Sequence, residues 1–451
     1  MKTYFITALL VSASILFAYC TKNDQVVTSS SSNSNVLLSY KTSTAPTIDG
    51  SIDPIWDNAQ KLNFMPTVPD PGNGLFTGYN GQQYPATLRS MYDANNIYFL
   101  LEVQDANQST NVTPWFFDPS TKLWTKEPSS KSLDVNGTVT RDSWGEDKFA
   151  MLWNIDYSTP KFVTQTCYAS CHVFTPYMDY SKNPAVYTSN SNSGNHYTNG
   201  QNEKIDMWWG RLGYIQADKS TNIMDDNYQD WAGGSAVTNL TGGNANGRHQ
   251  DGQVIDTAKT YTWPNGPHYT SYSSTLGTTP AGQMPAMGEV SNSQNLKLDG
   301  TGASVAVPIW IIPNASSNFI LLSDTTGKAK KVTAVASTGV LTLSDGTTID
   351  PNANTNYQRS GDVVYGPTAK YSVPAYIAVP LTGGRADISC VATYTGSGWV
   401  IEYKRALKTG DVLKQDVDFT SLQDQQFGVA FFNKSNNQHG INPDLLLKFQ
   451  K

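Results

Sequence analysis

The sequence predicts an all-β fold, a β-sandwich of the carbohydrate-binding-module or immunoglobulin-like kind with long loop inserts and few short helices. Three observations predict it. Short apolar runs recur between turn-forming clusters, several runs alternate with the two-residue period of a strand, and Gly, Ser, Thr and Asn outnumber charged residues. The chain has 451 residues, 24 Tyr and 11 Trp, with only 15% charged residues and a formal net charge of −6. That acidic, scattered charge excludes a nucleic-acid binder, which needs a basic stripe to displace counterions.

The first segment reads as a targeting signal. Lys2 supplies a positive end, and Tyr4 to Ala18 is an apolar run too short to span a bilayer comfortably. It closes on Leu16-Phe17-Ala18-Tyr19-Cys20, which resembles a bacterial lipobox. The expectation is a signal peptide over residues 1–19 and a lipidated Cys20. A polar tether, rich in Ser and Asn, then runs to residue 44. Such a chain is exported and held on a bacterial membrane through a lipid anchor, facing the periplasm or the cell surface. Plain secretion is the rival reading of the same segment.

The body is expected over residues 45–451. Ile48-Asp49-Gly50 followed by Trp56 reads as a turn and an apolar anchor. Ala86 to Tyr92 and Ile97 to Val103 form a hairpin about the Asp93–Asn96 turn. Asp147 to Ile155 is a strand with Phe149, Met151 and Trp153 on one face. Ala150 and Leu152 on the other imply burial on both sides. Glu146 and Asp147 are read as turn residues before it. Strands return over Ala386 to Thr393, Trp399 to Leu407 and Phe427 to Phe432, punctuated by Gly396-Ser397-Gly398 and Thr409-Gly410-Asp411. Inserts are expected near 233–300 and 319–365.

The chemistry lies at Cys167-Tyr168-Ala169-Ser170-Cys171-His172. A c-type haem site uses two thiols for thioethers to the porphyrin vinyl groups and the following His as an axial ligand. Here three residues separate the cysteines where two are usual. The alternatives are a strained short-loop disulfide, a zinc site completed by Cys390 or another His, or two free thiols. Export favours haem c, one per chain, because thioether attachment takes place outside the cytoplasm. Cys390, alternating with Ile388, reads as a buried thiol.

Lys204 to Arg211 (Lys-Ile-Asp-Met-Trp-Trp-Gly-Arg), followed by Met224 to Tyr228 (Met-Asp-Asp-Asn-Tyr), resembles a Trp-rich stretch of the ethylbenzene dehydrogenase-related haem-binding family. That family includes the gamma subunits of ethylbenzene and dimethylsulfide dehydrogenases. Gly384 to Asp387, Trp399 to Arg405, Leu407 to Asp411 and Phe427 to Phe431 resemble the same family, and the likeness covers most of residues 45–445. The Ile48-Asp49-Gly50 opening is also similar to family-9 carbohydrate-binding modules. The resemblance implies a sandwich holding one haem between loops at one end. The gamma subunits hold b haem through Met and Lys, so the Cys-containing loop implies a covalent variant in which His172 replaces the Met. Trp209 and Arg211 stand where the family often has His and Lys, so no ligand role is carried to that stretch.

For the second axial ligand, His439 in Asn436-Asn437-Gln438-His439-Gly440 is the positional choice, because the family's Lys follows the corresponding strand. An exposed loop His is the bland alternative, and Met178 is the runner-up ligand. His196, His249 and His268 lie in polar loops and are expected in solvent. Asp225 and Asp226 lack a spaced oxygen-ligand loop for calcium. No Ser-His-Asp order, phosphate loop or zinc-protease motif is present, so an electron carrier is expected before a hydrolase. Redox protein partners follow from that reading. A carbohydrate-binding module without haem, and a haem subunit of a larger molybdenum oxidoreductase, are the alternatives.

Overall fold

The computed structural model describes residues 35–70, 76–160, 162, 177–179, 186–188, 198, 202–217, 224–230, 248–251, 254–255, 269–270, 289–313, 319–358 and 373–451. Twelve strands form one sheet. In chain order they are β1 (Val36–Lys41), β2 (Leu62–Phe64), β3 (Ala86–Tyr92), β4 (Asn96–Gln104), β5 (Glu146–Asn154), β6 (Ile205–Arg211), β7 (Asp225–Gln229), β8 (Arg248–Gln250), β9 (Ser389–Tyr394), β10 (Gly398–Ala406), β11 (Gln425–Ser435) and β12 (Gly440–Phe449). Their spatial order is β8-β7-β6-β5-β11-β12-β1-β3-β4-β10-β9, with β2 paired onto β3. Among the described residues one α-helix occurs, α1 (Leu212–Ala217), beside a few 3-10 turns.

The sheet folds over on itself. Phe99 of β4 lies 5.8 Å from both Trp153 of β5 and Trp208 of β6, centroid to centroid, and stacks on Tyr403 of β10 at 5.1 Å. The half running from β8 to β11 therefore faces the half built from β3, β4, β10 and β9, and a two-layered β-sandwich results. Gly210 faces Phe149 directly across the β5–β6 ladder, and a Cβ there would collide with the Phe149 ring. The outer face of β5 is covered as well, by Ala150 packed with Trp209, Ala430 and Phe432.

Two expectations move. The folded body begins at Asn35, not at residue 45, because the tail of the expected tether is β1. That strand lies between β12 and β3 and is parallel to both, with Val36 opposite Leu446 and Ser39 opposite Ser90. Leu37 is fully buried, so alternation in this short run has the same origin as in longer strands. Glu146 and Asp147 are the first residues of β5 and are buried, not turn residues. A satellite core joins the hairpin Trp115–Asp118/Leu123–Lys126 to residues between Val307 and Ile349, with Trp124 Nε1 donating to Gly339 O at 2.8 Å.

The Ile48-Asp49-Gly50 opening has a structural purpose. Gly50 sits at φ 82°, a left-handed conformation that suits glycine. The buried Glu402 of β10 accepts the Gly50 N–H at 2.8 Å, the Asp49 N–H at 3.2 Å and Trp56 Nε1–H at 3.0 Å. Trp56 is thereby seated on the outer face of the second layer among Met91, Tyr98 and Leu100. Burial raises the Glu402 carboxyl, and these three donors oppose the rise. Replacing Glu402 with Ala strands three donors, two of them buried. The expected cost is about 3 kcal/mol or more, read as a lower urea midpoint at unchanged slope. An unaltered midpoint would remove this clamp from the account.

Candidate functional site

The segment that carries the cysteine pair leaves the sheet at the end of β5 and returns at the start of β6. Its departure is fixed by polar contacts. Asn154 Nδ2 donates to Thr159 O at 3.1 Å, and the Thr159 N–H donates to Asn154 Oδ1 at 3.0 Å. Ser158 Oγ accepts the Lys204 N–H at 3.0 Å, and Phe162 packs against Ile205. Both feet thus stand on adjacent, paired strands at one end of the first layer. Cys167, Cys171 and His172 lie outside the described residues, as do Cys20, His196 and His268. Met178 lies in a short strand, Tyr177–Asp179, paired with Val186–Thr188. His249 is in β8, opposite Tyr228. Cys390 is free and buried in the sandwich core beside Tyr403, and burial pushes its thiol well up.

His439 sits in the turn between β11 and β12. Its ring lies 4.5 Å from the Phe432 ring and 5.7 Å from Phe76. Nδ1 is 2.6 Å from Asn437 O. A carbonyl only accepts, so Nδ1 carries the proton and Nε2 of the neutral ring carries the lone pair. Burial lowers the imidazole to about 4; the Asn437 contact opposes this and the Lys148 ammonium adds to it. This is the tautomer and charge state that a metal ligand requires.

Position separates His439 from the two feet of the cysteine segment. β11 is antiparallel to β5, with Phe427 opposite Trp153 and Ser435 opposite Glu146. The His439 turn therefore lies at the Glu146 end of the first layer, and the feet of the cysteine segment lie at the Asn154 end. The length of β5 between them is about 26 Å at ~3.3 Å per residue. Ten residues separate Phe162 from His172 and reach about 35 Å at most when fully extended.

A polar cluster that sequence reasoning missed lies inside the sandwich. Asp206 is two residues before Trp208, and Asp226 two before Tyr228, so both share the inward face of their strands. Asp251 follows β8 directly, and Asp416 comes from the segment after β10. Asp206, Asp226 and Asp416 each offer a carboxylate oxygen within 4.8 Å of the others. Arg405 Nη1 lies 2.7 Å from Asp206 Oδ2 and 3.8 Å from Asp226 Oδ2, and its guanidinium is 4.9 Å from the Trp208 ring. Burial raises Asp206 to about 6 against the pull of Arg405. Burial and the neighbouring carboxylates push Asp226 and Asp251 well above the usual range. The signal was available: an Asp two residues from a buried aromatic on one strand is a buried charge. Asp225 points to a separate partner, a two-pronged pair with Arg385 at 2.7 and 2.5 Å.

At the opposite end Asp147 accepts from Ser109 N at 2.7 Å, Trp399 Nε1 at 3.0 Å and Lys434 N at 3.0 Å. Glu146 pairs with Arg211. These are buried anchors of β5, the physical reason that neither residue belongs to a turn.

The depressed His439 value has a sign that can be measured in protein made without haem. A folded-state value near 4, below the ordinary 6.5, gives stability that is present above the unfolded value and lost as pH falls toward 4. The stability of wild type relative to His439→Phe, which keeps an aromatic ring against Phe432, should therefore fall between pH 7 and 4.5. A difference that stays constant across that window contradicts a neutral imidazole held among Phe432 and Phe76.

Comparison with known proteins identifies a family for the chain. No curated protein matches the chain. Among solved structures, a family-9 carbohydrate-binding module from Caldicellulosiruptor kristjanssonii, in complex with glucose, is 7% identical, with 92% of this chain and 94% of that chain covered at a TM-score of 0.26. The same module in complex with cellotriose is 8% identical, with 92% and 93% covered at a TM-score of 0.26. The sequence model described as "Ethylbenzene dehydrogenase" matches residues 53–310, more than half of the chain, and the chain belongs to that family.

Proposed function

We propose that the chain is an exported c-type cytochrome that carries one covalent haem and transfers electrons. The observation that carries the reading is the Cys-x3-Cys-His run at 167–172 within the family match over 53–310. Cys167 and Cys171 would each form one thioether, sulfur to vinyl carbon, and His172 would bind the iron axially. Haem, when bound, supplies a one-electron couple whose potential depends on its axial ligands. The protein's part is to hold the attachment loop by two feet, through Asn154–Thr159 and Ser158–Lys204. His172 with a second side-chain ligand would leave no place for substrate at a bound haem, which would then supply electron relay to redox protein partners. A lipidated Cys20 and a polar segment ahead of β1 would keep the sandwich at a membrane surface.

Two residues compete for the sixth position. His439 has the ring chemistry, an Nε2 lone pair with Nδ1 engaged. It serves only if the attachment segment lies back along the first layer. Met178 lies in the same segment, six residues after His172, and serves only if the chain between them folds back to the opposite face of the haem. A His ligand gives a lower potential than Met.

Expression in a host competent in cytochrome c maturation should give a red protein with one haem per chain by pyridine haemochrome. The colour should survive acid-acetone extraction and be lost on Cys167→Ala with Cys171→Ala. A colourless product contradicts the proposal. His439→Ala should convert low-spin to high-spin haem if His439 is the ligand. If it does not, and Met178→Ala does, the assignment passes to Met178.

A further inference from the structure

Two neighbouring strands and two loop segments bring buried carboxylates together. Asp206 of β6, Asp226 of β7 and Asp251 just after β8 meet Asp416 from the segment that follows β10. Asp206 and Asp226 are fully buried, Asp251 is 3% exposed and Asp416 8%. Asp206 Oδ2 is satisfied by Arg405 and by the Val417 N–H at 2.9 Å, and Asp416 Oδ2 by Thr409 Oγ1. The remaining six oxygens have no hydrogen-bond donor: Asp206 Oδ1, both of Asp226, both of Asp251 and Asp416 Oδ1. Asp251 is the independent observation. It lies outside the close trio, its carboxyl is buried, and it faces Asp416 with neither oxygen satisfied by a donor.

Four buried carboxylates share one buried guanidinium, with the half-buried Lys204 ammonium acting on Asp251 alone among them, so ionised together they leave negative charge in excess. A buried charge persists only if it is paired, protonated or bound to a metal. The donors are all hard carboxylate oxygens, with no His or Cys among them, which selects Ca²⁺, Mg²⁺ or Mn²⁺ over zinc or copper. Six carboxylate oxygens without a donor, carried on four separate segments, suit Ca²⁺, which takes 6–8 oxygens in adaptable geometry. Mg²⁺ keeps most of its own waters and is held by one or two carboxylates. We infer that Asp206, Asp226, Asp251 and Asp416 form a buried Ca²⁺ site that ties the β6–β7–β8 edge to the segment following β10.

The consequence is mechanical. Asp206 is one residue from Ile205, against which Phe162 packs at the foot of the cysteine segment. A cation here would close the same end of the sandwich from which that segment departs. This site stands whether or not the chain binds haem.

The test uses the full chain at pH 7.5, stripped with a chelator and dialysed. Isothermal titration with CaCl₂ should show one site per chain, and Ca²⁺ should raise the thermal midpoint by several degrees. Asp226→Asn should weaken binding at least tenfold and raise the midpoint of the chelated protein, because it removes a repelling charge. The exposed control Asp345→Asn should leave the Ca²⁺ response unchanged. If the stripped wild type neither binds Ca²⁺ nor changes midpoint, the carboxyls hold protons in place of a cation and the inference is overturned. A Ca²⁺ response that persists unchanged in Asp226→Asn overturns the location.

Discussion

The contact of Trp153 and Trp208 with Phe99 and Tyr403 is the interaction on which the rest of the molecule depends. These side chains belong to opposite halves of one continuous sheet, and their packing is what turns that sheet into a sandwich. Aromatic faces of this size dominate core energetics, and edge-to-face pairs add to their burial. Trp153 also stacks on Phe427 at 4.6 Å, which sets the β5–β11 pair beneath the same cluster. With that closure in place, the ends of β5 and β6 become fixed points. Everything assigned to function hangs from those points or lies just inside them.

The sandwich separates its polar chemistry into two ends. At the Glu146 end, most buried carboxylate oxygens meet donors: Asp147 takes three N–H groups, Glu146 takes Arg211, and Asp105 takes the Asn433 amide on one oxygen while the other has no donor. His439 completes that end as a neutral ring among aromatics. Beneath the other end, carboxylates outnumber cations, with Arg405 among Asp206, Asp226 and Asp416 and Lys204 acting on Asp251. A satisfied network of buried polar groups rigidifies, and an unsatisfied one calls for a partner from outside the chain. The contrast is a property of this fold and does not require knowledge of any bound group.

Much of this was legible in the sequence because strand alternation is local. The β3–β4 hairpin about Asp93–Asn96 and the doubly buried β5 follow from side-chain period alone. β1 was not legible as part of the body: six residues beside a Ser-rich run carry too little pattern, and its parallel partners lie some 50 and 400 positions away. The acidic cluster was missed for the same reason. Its members are spread from residue 206 to 416, and only the register of β6 on β7 puts Asp206 and Asp226 on one face. Asp225 and Asp226 were considered together as neighbours, yet the pleat sends them to opposite faces, one to Arg385 and the other inward. His439 was chosen by order along the chain. Order along the chain identifies a turn but not the end of the sheet at which it falls.

The central claim is that Cys167 and Cys171 carry a haem by covalent bonds. The most direct measurement is peptide mass spectrometry of the matured, purified chain after proteolysis under denaturing conditions. The account predicts that the peptide spanning Thr166–Val173 is recovered with the mass of one haem attached and no free thiol at either cysteine. Recovery of that peptide with both thiols free, or joined in a Cys167–Cys171 disulfide, would contradict it.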